Sequence, residues 1–204
     1  MNLRKALLLL AAATFVTATA HAQLGVYGTF TATRLSNLKS SPEATNPAAV
    51  NNDVSPLGGT GGVYYDFLKL GPVKLGADLR GSIVTTQRGA YINANGGGAR
   101  INSALFGVRA VFHVPVLHSI LRPYLQGSAG VGRTNYGLLY GNNGVVLKSN
   151  FEYMGFAGVD IPLAPFMDFR LVELGVGALN PFGTNSHNYP LQSVSSGVVF
   201  HLPF

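Results

Sequence analysis

The 204-residue chain has no cysteine and no tryptophan, and only 11% of its residues are charged. Without cysteine there are no disulfides, thiolate metal sites or thiol nucleophiles. Without tryptophan, an aromatic girdle at a membrane interface has to be made by Tyr and Phe. Ordinary soluble domains carry about 25% charged residues, so a chain this poor in charge, with 47% hydrophobic residues, is apolar for a single soluble domain. Lys and Arg occur singly. With no basic run and no patch of basic residues interleaved with aromatics, the chain is not read as a nucleic-acid binder.

Long apolar runs are also scarce. The only continuous one, residues 6–16, follows Arg4 and Lys5 and leads to Ala20-His21-Ala22, and it is shorter than the ~20 residues a spanning helix needs. A basic end, an apolar centre and a small-x-small site make residues 1–22 a signal peptide, with cleavage before Gln23. Its removal takes away Arg4 and Lys5, leaving 12 basic against 8 acidic residues, a mild balance of +4. The remaining domain, residues 23–204, is long enough for eight membrane strands, which need roughly 80 residues.

What the chain does have is alternation. Along 73–83, Val73, Leu75, Ala77, Leu79, Gly81 and Ile83 share one face of an extended strand, and Lys74, Gly76, Asp78, Arg80 and Ser82 share the other. In a membrane barrel the first face meets lipid and the second lines a closed interior. Seven more segments read the same way: 24–34, 59–67, 102–114, 122–133, 152–161, 166–179 and 192–204. The links between the eight run long, short, long, short, long, short, long. An even antiparallel barrel with both ends on one side of a membrane produces that order, and a soluble sandwich has no reason to. Asn142-Asn143-Gly144 is a hairpin signal in the third long link, predicting that strands five and six continue as a ribbon beyond the membrane. Residues 162–165 are read as the turn after strand six. One strand breaks the rule of two: Arg170 and Glu173 cannot both face inward from a regular strand, so either a bulge intervenes or Arg170 reaches headgroups.

The segment Arg122-Pro123-Tyr124-Leu125-Gln126-Gly127-Ser128-Ala129-Gly130-Val131-Gly132, together with Gly155-Phe156-Ala157-Gly158-Val159-Asp160-Ile161-Pro162-Leu163, resembles the small outer-membrane β-barrel family of Gram-negative bacteria, the OmpA- and OmpX-type barrels. A terminal Phe204 behind alternating Phe200 and Leu202 is similar to that family's assembly signal. His201 and Pro203 depart from its usual closing strand. The resemblance implies a bacterial outer-membrane location, with outer-membrane lipid and lipopolysaccharide as surroundings. It also implies insertion by the barrel-assembly machinery, a monomer, and no cofactor. No cell-wall-binding domain is expected beyond Phe204.

Asp66, Lys74, Asp78, Arg80, Arg109, His113 and Glu152 have the parity of lumen residues. An eight-stranded interior is just wide enough for side chains to fill, so these charges are expected to pair as a plug; the rival reading is a narrow solute pore. Arg34 and Arg133 have lipid-facing parity at the long-loop ends of their strands. With Arg88, Arg100 and Lys148 they are expected as a collar for lipid phosphates or as a solvated rim. A lipid A-modifying enzyme is the weaker rival: Ser186-His187 and His118-Ser119 have no carboxylate at a readable spacing. The scattered His113, His118, His187 and His201 give no metal site. The expected role is therefore structural or at the surface, not catalytic: envelope integrity, loop display or adhesion.

Overall fold

A strand that is apolar on one face and polar on the other needs two different surroundings, and it must also pair every backbone group that lipid would strand. Closure into a barrel meets both needs. A computed structural model describes residues 23–42, 44, 46–48, 50–86, 99–113, 120–135, 147–182 and 187–202. Eight strands, β1 (Gln23–Leu35), β2 (Leu57–Leu70), β3 (Val73–Thr85), β4 (Arg100–Phe112), β5 (Arg122–Asn135), β6 (Leu147–Ala164), β7 (Met167–Pro181) and β8 (Tyr189–Leu202), form a closed antiparallel barrel. Each strand pairs with its sequence neighbours, and β1 closes on β8 from Leu24↔Leu202 to Leu35↔Leu191. The signal-peptide segment 1–22, Pro203 and Phe204 lie outside the described residues.

The two faces sort as the alternation requires. Phe30, Phe106 and Val176 are 62%, 61% and 64% exposed on the outer wall, whereas Tyr27, Asp78, Arg80, Arg109, Arg170 and Glu173 are buried inside. A continuous apolar exterior of this kind is compatible with lipid and not with water.

Several boundaries differ from the sequence expectation, each for a pairing reason. β6 begins at Leu147 rather than near residue 152 because Leu147, Lys148 and Ser149 pair with Asn135, Thr134 and Arg133. That pairing extends beyond Asn150↔Pro181, the last pair of β6 with β7, so strands five and six do run on together; Asn142-Asn143-Gly144 itself lies outside the described residues. Pro162 does not begin a turn. It is taken into β6 opposite Asp168, and a register shift between Pro162 and Ala164 accommodates its missing donor, leaving the turn to Pro165 and Phe166. At the β2–β3 turn Gly71 adopts φ +57°, a conformation glycine takes at no steric cost.

Between β1 and β2 the chain folds back over the long-loop end of the bore. Asn37, left-handed at φ 65°, leads into a short 3-10 turn, Leu38–Ser40. The Leu38 amide donates to the Asn52 carbonyl at 3.0 Å, and the Leu35 and Val54 amides each donate to the other residue's carbonyl at 2.9 Å. Leu38 and Val50 thereby join Ile101, Leu105, Met154, Leu179 and Leu191 in an apolar cluster inside the mouth. Tyr189 of the neighbouring strand β8 fixes this cap, its hydroxyl 2.7 Å from Ser41 Oγ.

Phe106 lies midway along β4 on the outer wall. Phe106→Arg is expected to destabilise the barrel in lipid vesicles by ~2–4 kcal/mol, the range for a cation at the bilayer midplane; urea unfolding from vesicles measures it, and an unchanged midpoint would contradict a lipid-facing wall.

Candidate functional site

Two-residue spacing on β3 brings Asp78 and Arg80 onto the inner face, β4 contributes Arg109 and β6 Asp160. β7 supplies two charges by breaking its own alternation. Its pairing with β8 steps from Arg170↔Gly197 to Glu173↔Ser195, three residues against two. This bulge turns both Arg170 and Glu173 inward, and the Ser196 hydroxyl donates to the displaced Arg170 carbonyl at 3.0 Å. Of the two readings of the sequence, the bulge holds: the register shifts between Arg170 and Glu173, and Arg170 is wholly buried inside the barrel.

The six groups form one connected network. Arg80 donates to Asp78 from Nε (3.1 Å) and to both Glu173 oxygens from Nη1 and Nη2 (3.0 and 3.2 Å). Arg170 donates to Asp160 from Nε (2.9 Å) and to Glu173 from Nη1 (3.3 Å), while Arg109 Nη2 donates to Asp160 at 2.9 Å. Three guanidinium groups thus face three carboxylates, formally neutral. Neutral donors complete the carboxylate shells: Tyr27 to Asp78 (3.0 Å), Tyr124 to Glu173 (2.6 Å) and Gln126 to Asp78 (2.7 Å). Charges taken out of water are costly unless geometry and supplementary hydrogen bonds are good, and here both are.

The flat faces of the guanidinium groups are covered as well. Arg80 lies between Phe156 and Tyr27, 3.9 and 5.6 Å from the ring centroids. Arg170 lies between Tyr27 and Tyr124 (4.5 and 4.8 Å), and Arg109 between Tyr124 and Tyr64 (4.1 and 4.2 Å). Cations over ring faces are attracted most strongly when desolvated, and Arg, unlike Lys, presents a plane to stack. Each tyrosine in turn lies over the glycine directly paired with it on the next strand: Tyr27 on Gly62, Tyr64 on Gly25, Tyr124 on Gly158. A Cβ at any of these glycines would collide with the ring.

The residues singled out from sequence fall into different places. Asp78, Arg80 and Arg109 belong to the network. Asp66, Lys74 and His113 line a separate cavity at the short-turn end, His113 just beyond the end of β4. Glu152 stands apart in the upper bore: it is buried, and its partner is the Ser103 hydroxyl rather than a cation. It borders a cavity of about 30 Å³ among Thr31, Thr60, Ser82 and Ser195. Alternation held further members that a search for scattered charges passed over: Asp160 has the parity of Glu152, and Tyr124 and Gln126 sit on the inner face of β5. Arg170 and Glu173 were visible only as an anomaly.

Arg34 and Arg133 point outward near the long-loop ends of β1 and β5, on opposite sides of the barrel. Arg34 pairs with Asp53 of the first loop, and its hydrogen bond holds the Asp53 carboxyl below the usual carboxylate range. Arg100 is buried and Arg88 lies outside the described residues. Phe200 and Leu202 face outward, each 41% exposed. His187 packs edge-on to Tyr189, with centroids 4.8 Å apart; Ser186, His118 and Ser119 are outside the described residues.

No protein-family model matches the chain, and no curated protein matches it. Among solved structures it is similar to Neisserial surface protein A, with a TM-score of 0.58 and 13% identity over 88% of this chain and 98% of that one. It is also similar to Ail, the attachment invasion locus protein of Yersinia pestis, solved with the heparin analogue sucrose octasulfate; here the TM-score is 0.54 and identity 9%, over 89% of this chain and 99% of that one. The fold is that of the small outer-membrane β-barrels. Its apolar exterior wall is the surface such a barrel turns to lipid.

For such a barrel the interior network is expected to be a large part of stability. Arg109→Ala is expected to cost ~3–5 kcal/mol, the range for breaking a buried pair. Arg170→Ala, which takes a cation from two carboxylates rather than one, is expected to cost more. Unfolding midpoints in detergent check the order; equal or unchanged midpoints would mean the network is not under tension from burial.

Proposed function

We propose that the protein is a non-catalytic, monomeric outer-membrane scaffold that displays its long loops at the cell surface, with its bore closed to solutes by the arginine–carboxylate network. The observation that carries the reading is where the network's struts run. Tyr27 to Asp78 links β1 with β3, Arg80 to Glu173 links β3 with β7, Tyr124 to Glu173 links β5 with β7, and Arg109 to Asp160 links β4 with β6. A solute crossing the bore would have to part several of these at once and leave charges uncompensated in a region that water does not reach. The surface role draws support from two similar barrels, one a surface protein and the other an attachment invasion locus protein.

A gated pore is the second reading, favoured by the cavities on either side of the network, about 30 Å³ above and 90 Å³ below. Planar-bilayer recording separates the two. The refolded barrel is expected to be electrically silent and Arg80→Ala to leak; discrete openings in the unaltered protein would make it a pore. Lipid A that changes in mass only when the protein is present would instead indicate an enzyme.

The outward arginines support contact with lipopolysaccharide phosphates, in addition to surrounding outer-membrane lipid. Arg34 is already engaged by Asp53, so Arg133 is the stronger candidate of the two. Arg133→Gln is expected to lower lipopolysaccharide co-purification more than Arg34→Gln, and no loss in the double variant would remove the collar. Phe200, Leu202 and Phe204 are proposed as the signal read by the barrel-assembly machinery.

A further inference from the structure

The short-turn end of the bore holds a cavity of about 90 Å³, and one acid on its wall is incompletely partnered. Arg109 is given to Asp160 at 2.9 Å, while Arg122 and His201 both reach Asp168, at 2.7 and 2.8 Å. Asp66 is only 5% exposed, yet its Oδ1 accepts no hydrogen bond from Lys74, which borders the same cavity, or from any other described residue. A buried carboxylate left in this way costs stability until a donor meets it. Its Oδ1 rests over Gly76 of β3, where a side chain would begin, and the cavity lies open beside it.

Across the β1–β2 ladder Asp66 is paired with Gln23, which lines the same cavity. In an antiparallel pair the backbone groups of alternate residues point to the same neighbouring strand. The Thr33 and Leu35 amides donate to the Pro56 and Val54 carbonyls at 2.9 Å, so the odd-numbered residues of β1 turn their nitrogens toward β2. The register runs from Ala32 to Gln23 without a shift, and the Gln23 nitrogen therefore faces Asp66. In the precursor that nitrogen is an amide with a single N–H for the ladder. Cleavage before Gln23, the reading drawn from residues 1–22, would make it an ammonium group with three, two of them free of the ladder.

We propose that the α-ammonium group of mature Gln23 is the partner of Asp66, so that removal of the signal peptide completes the ion pairing at the short-turn end, and that this pair keeps Gln23 from cyclising. The pair rests on cleavage before Gln23 and exists only where cleavage falls there. The Asp66 side chain meets the ammonium group by turning from Gly76 toward β1 within the cavity. An N-terminal glutamine cyclises when the lone pair of its neutral α-amine attacks the side-chain amide carbon. The new C–N bond closes a lactam, the bond from that carbon to the amide nitrogen breaks, and ammonia leaves with a proton from the amine. An ammonium group held against a carboxylate has no lone pair to give. The lactam keeps one N–H for the ladder but carries no charge, so cyclisation removes the ion pair while leaving the strand pairing in place.

Mass spectrometry of the barrel purified from outer membranes, intact and as its N-terminal peptide, separates the cleavage from the pair. A chain that begins at Gln23 and retains its full mass is expected. A chain that begins elsewhere would overturn the cleavage reading and the pair with it; one that begins at Gln23 but is lighter by one ammonia would overturn the pair alone. The pair is then read by unfolding the mature barrel, treating half of it with glutaminyl cyclase, and refolding both halves in detergent. The folded-to-unfolded ratio of the untreated barrel is expected to exceed that of the cyclised one roughly tenfold or more, the worth of one charge-assisted hydrogen bond. Asp66→Asn is expected to erase the difference. Equal ratios for the two forms of the unaltered chain would overturn the pair, and this comparison stands even if Asp66→Asn fails to fold. A difference that survives Asp66→Asn would overturn it as well, by giving the ammonium group to another acid.

Discussion

Three guanidinium groups buried in one narrow bore set the terms for the rest of this barrel. A desolvated arginine requires a carboxylate in its plane and tolerates only polarisable surfaces above and below it. Arg80, Arg109 and Arg170 have both, and each requirement reaches back into the backbone. The carboxylates Asp160 and Glu173 come within reach of Arg170 because β7 carries a bulge. The rings lie flat because glycines face them across the strand ladder. Register, bulge and glycine placement are thus parts of one arrangement: a slip of one residue would send every inward charge to the lipid side.

The barrel has two interiors rather than one. Its middle is polar and paired, while its long-loop end is filled by an apolar cluster to which the first loop adds Leu38 and Val50. The usual rule that large apolar side chains are inside and charges outside is reversed across the wall but restored at the mouth. The reason is the solvent on each side. Phe30 and Phe106 face lipid, where burial brings no further gain, whereas Leu38 would face water if the first loop did not fold in.

Strand count, order and facing were legible in the sequence because a period of two is a local signal that closure does not override. Asp78, Arg80 and Arg109 were legible as lumen charges for the same reason. What parity cannot convey is partnership. Glu152 has an inward position like Asp78, yet it meets a serine hydroxyl, because which strands face each other across the bore depends on tilt and stagger rather than on local pattern. Pro162 read as a turn because its missing donor is a local fact; the register shift that lets β6 absorb it is not. Arg170 and Glu173 gave the opposite lesson, since the irregularity in their spacing was itself the trace of the bulge.

The network also divides the bore into unlike compartments. Above it, hydroxyls and Glu152 lie beneath a cap tied down by backbone bonds to Asn52, Val54, Pro56 and Pro190. Below it, among the described residues, Arg109 Nε and Nη1 and Asp66 Oδ1 have no hydrogen-bond partner beside a larger cavity. Fully paired charges hold a structure in one state, whereas unpaired buried ones cost stability until something meets them. The paired network in the middle is therefore what fixes the strands in one register, and the compartments on either side of it add less to that constraint.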